Sequence, residues 1–77
     1  MKVEYSPDEN LLYLRLHEGE IADTVEIGPD ISVDLDAEGM PVGIEFLNAA
    51  DILSFTAQHD GRLDPETLRP LAVARRG

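Results

Sequence analysis

Cysteine and tryptophan are absent from this 77-residue chain, and basic residues are scarce. Without cysteine there is no disulfide framework, no thiolate nucleophile and no thiolate-based structural zinc site. Small secreted domains tend to be disulfide-dense, so the lack of cysteine favours a cytoplasmic location. No apolar run is long enough to span a bilayer, and the opening MKVEYSPDE has no apolar signal core. The expectation is a soluble, unexported protein that does not engage membranes. Gly28, Gly39 and Gly43 are isolated, so there is no glycine-rich phosphate loop and no cofactor motif of that kind.

Positive charge is the scarcest commodity. Six Lys and Arg stand against sixteen Asp and Glu, for a net charge of −10. The imbalance sits in residues 1–60, where fourteen acids face only Lys2 and Arg15 for −12, whereas residues 61–77 carry +2. Such a body repels phosphates, which excludes nucleic acid as a partner. It suits a small basic protein as partner, although solubility alone is the simpler reading.

At this length the chain forms one domain, residues 1–77, with a small core that a partner or a second copy often completes. The hydrophobic fraction of 43% is that of a folded chain. Periodicity then gives the fold. In ISVDLDAEGMPVGIEFL, Ile31, Val33 and Leu35 alternate with polar residues, as do Val42, Ile44 and Phe46 beyond a tight turn. A period of two on both arms marks paired antiparallel strands. The same reading places strands at 3–5, 11–17, 22–27, 31–36 and 42–47. Links this short exclude parallel crossovers, so the expected fold is α+β with a five-stranded antiparallel meander. Its inward face holds Val3, Tyr5, Leu12, Leu14, Leu16, Val25 and Ile27, together with the apolar residues of the last two strands.

Such a face needs a cover. Asn48 is a good N-cap with Asp51 three residues on, so a helix is expected at about 49–57. Asp64 and Pro65 start a second helix, which Pro70 should limit to a turn near 65–69, leaving 67–77 as a frayed tail. One short helix is narrower than five strands, so either the tail leucines or a second copy must finish the cover. The expectation is a homodimer.

The carboxylates invite three chemical readings. Asp34, Asp36, Glu38, Gly39 and Glu45 match the spacing of an EF-hand calcium loop, but that loop needs flanking helices, and both flanks here are strands. A weak surface cation site on Asp34, Asp36, Glu45 and Glu26 is the surviving metal reading. The same carboxylates could be paired for acid–base catalysis, but strand residues on an open acidic face stay solvated, which disfavours an enzyme. His17 and His59 are not at ligand spacing to each other, and no local pattern joins either to Ser6, Ser32 or Ser54. Tyr13 and Arg15, with Leu47 on the same outward side, are residue types found at interface hot spots, and they form the candidate interface. The competing reading gives Arg15 a cross-strand role against Glu26, Asp34 or Glu45.

The ordered pair of segments YSPDENLLYLRL and ISVDLDAEGMPVGIEFLNA resembles the small bacterial family DUF2283, whose members look like YDPEADALYIRL followed by VDYDEDGNVVGIEILNAS. The likeness covers about residues 3 to 52. Ser6 and Asn10 replace the acids usual in that family, which weakens any metal role for the first loop, and Met40-Pro41 alters the turn. The resemblance implies a β-rich domain and no activity. It also implies an antitoxin-like, non-catalytic role in binding a partner, as for members of the family encoded beside toxin-like proteins.

Overall fold

The computed structural model describes residues 1–76. The strands fall where the alternation puts them, to within two residues at each end: β1 (Lys2–Ser6), β2 (Leu11–Arg15), β3 (Asp23–Gly28), β4 (Ile31–Leu35) and β5 (Pro41–Phe46). Two helices follow, α1 (Asp51–Gln58) and α2 (Pro65–Arg76). The sheet is antiparallel throughout and the class is α+β, as the periodicity predicts.

The turns are built from local polar chemistry. Asp36 Oδ1 accepts from the backbone N–H groups of Glu38 and Met40, both at 2.9 Å, which closes the β4–β5 turn. Gly39 occupies that turn at φ 81°, a left-handed angle that costs glycine little. Asn10 and Asp30 hold left-handed angles of 54° and 61° in the other two tight connections, and Asn and Asp tolerate these better than most residues.

The strand order corrects the meander. It runs β1-β2-β5-β4-β3, so β2 pairs with β5 rather than with β3. Short links rule out parallel neighbours, yet they do not oblige consecutive strands to pair. The link from β2 to β3 passes the end of β5, where Leu16 N–H donates to the Val42 carbonyl at 2.8 Å and Arg15 Nη2 to the Gly19 carbonyl at 2.8 Å. β5 is the most buried strand, and its central place gives it a neighbour on each side. Burial decides the order.

Both helices lie on one face. Phe55, Leu68 and Ala72 join Leu14, Val25, Val33, Leu35, Ile44 and Phe46 in a single core. Phe46 and Phe55 meet edge to face with centroids 5.7 Å apart, an arrangement aromatic rings prefer. Val42 is fully buried at the other end of β5, by Gly19.

The helix boundaries bring two further corrections. Asn48 does not cap α1, whose first flanking residue is Ala50 and has no side-chain cap. Asn48 Oδ1 accepts from Ala50 N–H at 3.3 Å, in the turn ahead of the helix, and from Asn10 Nδ2 at 3.0 Å, which ties the end of β5 to the β1–β2 turn. The helix α2 runs through Pro70, so the tail expected to fray is helical to Arg76, while Gly77 lies outside the described residues. Its start is as read: Asp64 accepts from Thr67 N–H at 3.2 Å and Thr67 Oγ1 at 2.8 Å, and these bonds hold its carboxyl below the usual range. Pro70 forfeits one bond, to the carbonyl of Glu66, a solvent-exposed first-turn residue. Complete burial of Leu68 and Ala72 one turn apart offsets that loss.

The inward list also contracts at β1. Val3 and Tyr5 pair with Leu14 and Leu12 and so share the core face, yet they remain 60% and 53% exposed. The helices reach β3 and β5 and leave the β1 edge bare.

Candidate functional site

The opposite sheet face carries no helix, and strand register arranges its side chains in rows. One row reads Thr24, Asp34, Gly43, Arg15, Lys2 from β3 across to β1. The next reads Glu26, Ser32, Glu45, Tyr13, Glu4. Gly43 leaves a gap in the first row, and the Tyr13 ring lies over it. A Cβ on Gly43 would collide with the Tyr13 hydroxyl and ring. Through this gap the Tyr13 hydroxyl donates to Asp34 Oδ2 at 2.8 Å, while Thr24 Oγ1 donates to Asp34 Oδ1 at 2.6 Å. Side chains from β2, β4 and β3 are thereby fastened across the bare backbone of β5.

The electrostatics follow from that geometry. Burial, then the hydrogen bond to Asp34 and its negative charge, push the Tyr13 hydroxyl up to about 12, with Arg15 offsetting part of the rise. A phenol held protonated in this way is a hydrogen-bond donor at neutral pH, the opposite of an activated base.

The residues singled out from sequence separate here. Tyr13 and Asp34 come together, and both carboxylate oxygens of Asp34 are occupied by hydroxyls. Asp36 closes its turn through Oδ1. Glu45 and Glu26 share a row with Ser32 between them, two strands apart and thus separated by roughly 10 Å. Among the described residues no three His, Asp or Glu side chains are grouped to hold a metal ion. Arg15 turns to the Gly19 carbonyl, and Leu47 is 49% exposed at the end of β5. The sequence reading missed Thr24 and treated Gly43 as an isolated glycine. A glycine inside an alternating strand was the available signal, since it often marks a close approach.

These features define a small acidic α+β domain with an open five-stranded face and a hydroxyl–carboxylate lattice on it. No curated protein and no solved structure matches the chain. The family model described as "Protein of unknown function (DUF2283)" matches residues 2–49. The chain belongs to that family, and the matched stretch is the whole sheet, with both helices lying beyond it. No helix among the described residues is long and apolar enough to cross a membrane.

Proposed function

We propose that this domain is a non-catalytic protein-binding module, antitoxin-like in the sense that it captures and neutralises a small basic protein. The observation that supports this reading is the row Glu26, Ser32, Glu45, Tyr13, Glu4. Its three carboxylates recur at every second strand, roughly 10 Å apart, on a face free of helices. The Tyr13–Asp34–Thr24 lattice stiffens the sheet beneath them, so the charges are presented with little conformational entropy left to lose. Complementary charge steers association and selects partners more than it sets affinity.

Purification of the tagged full chain from its host at low ionic strength then yields a stoichiometric small basic protein. Added salt, at about 0.5 M, releases it, because exposed charges are screened. The E26Q/E45Q double variant weakens the complex by ~10-fold or more while leaving the fold intact. Recovery of the chain without a basic partner at either ionic strength removes the reading.

A further inference from the structure

The two edges of the sheet are unlike. β3 is blunted: it is interrupted by a bulge between Glu26 and Gly28, is followed by Pro29, and has its Ile27 carbonyl engaged by Arg75 Nη2 at 3.3 Å. These are devices that keep sheet edges from pairing. β1 is followed by Pro7 as β3 is by Pro29, but among the described residues it has neither the bulge nor a side chain hydrogen-bonded to one of its carbonyls. It pairs with β2 in regular register from Lys2 to Ser6, contains no proline or bulge, and is exposed along its whole length.

We infer that β1 is the docking edge for a second copy of this chain, in an antiparallel two-fold pairing centred on Val3. Charge disfavours the two adjacent registers. Opposite residues in an antiparallel pair share a face, so a two-fold contact between β1 strands is centred on one residue. Centred on Glu4, the contact sets Glu4 against its own copy. Centred on Lys2, it sets lysine against lysine. Like charges directly opposite are destabilising. Centred on Val3, it places Lys2 opposite Glu4 of the second copy twice over and sets Val3 against Val3. Tyr5, 53% exposed, falls opposite Met1, 74% exposed.

The intramolecular neighbours favour the same register. Lys2 stands opposite Arg15, a like-charge pair, and among the described residues Lys2 makes no ion pair. The second copy's Glu4 would supply the missing countercharge. On the core face the contact covers Val3 and Tyr5, the side chains that α1 and α2 leave bare. The product is a continuous ten-stranded sheet in which Glu26 and Glu45 stay open on the outer face while Glu4 pairs with Lys2 of the second copy. The inference shares only Glu4 with the basic-partner reading, and the E26Q/E45Q variant leaves the dimer unchanged.

Five residues a side is small for an interface, below about 1,200 Å², so the dimer depends on concentration. Sedimentation equilibrium of the full chain from about 1 to about 500 µM tests it. The expected result is a reversible monomer–dimer equilibrium. K2E and E4K each place like charges opposite one another and weaken the dimer by ~10-fold or more. The K2E/E4K double variant recovers it, and an equimolar mixture of the two single variants forms a heterodimer. The single variants keep the wild-type circular dichroism, since both sites are on the surface. A wild-type chain that stays monomeric throughout the range overturns the inference. So does a dimer indifferent to both single variants, or one that the double variant fails to restore, since charge-swap rescue belongs to the Val3-centred register.

Discussion

Tyr13 and Asp34 are joined hydroxyl to carboxylate at 2.8 Å across a strand that belongs to neither of them. β5 runs between their strands, and the contact exists because position 43 on β5 is glycine. Three residues remote in sequence thus form one structural unit, and all lie within the stretch that defines the family.

The tyrosine of that unit titrates late. In a Tyr5→Phe background, absorbance of the phenolate reports Tyr13 alone, with a midpoint of about 12. Adding Asp34→Asn removes the negative charge and lowers the midpoint. The folded-state value lies above the ordinary 10.0, so the unfolded chain loses this proton first. Stability is therefore intact below about 10 and falls as pH rises towards about 12. Because Tyr13 is only partly buried, screening reduces the effect to about 1 kcal/mol. A midpoint that ignores the Asp34 substitution would contradict the coupling.

Gly43→Ala sets a methyl where the Tyr13 ring lies. The expected cost is ~1–3 kcal/mol, the usual range for overpacking, with loss of the Tyr13–Asp34 bond. In a Tyr13→Ala background the same change costs much less. Chemical denaturation of the four proteins in that cycle measures the difference, and additive costs would show that the ring and the glycine are independent.

Leu68→Ala tests whether the last segment belongs to the core. Leu68 is fully buried, so truncation costs roughly 2–4 kcal/mol, comparable to Ile44→Ala in the centre of the sheet. A frayed tail would show almost no loss in a thermal melt. Pro70→Ala works in the opposite direction, restoring a hydrogen bond and raising stability by about 1 kcal/mol or more.

Asp64→Ala removes the acceptor at the start of α2. Its carboxyl is held below the ordinary range in the folded state, so its contribution is present above that range and fades as pH falls through the lowered value. The wild type should therefore lose part of its advantage over the variant on acidification. An advantage unchanged by acidification would show that the ionised form of the carboxylate is not what caps the helix.

The chain by itself determined where each strand lies, which residues face inward on β2 to β5, the tight turns and the start of α2. These are local matters: alternation, turn formers and caps act over a few residues, and steric rules resolve them without reference to the rest of the molecule. The tertiary structure decided the rest. It set β5 beside β2, an arrangement that encloses β5 between two neighbours and makes it the most buried strand. It carried α2 through Pro70, because burying Leu68 and Ala72 outweighs one missing bond near the helix start. It also joined Tyr13 to Asp34 over Gly43 and left Val3 and Tyr5 bare beyond the reach of the helices. Each of these depends on which distant segments become neighbours, and that is settled by the total surface buried rather than by any local pattern.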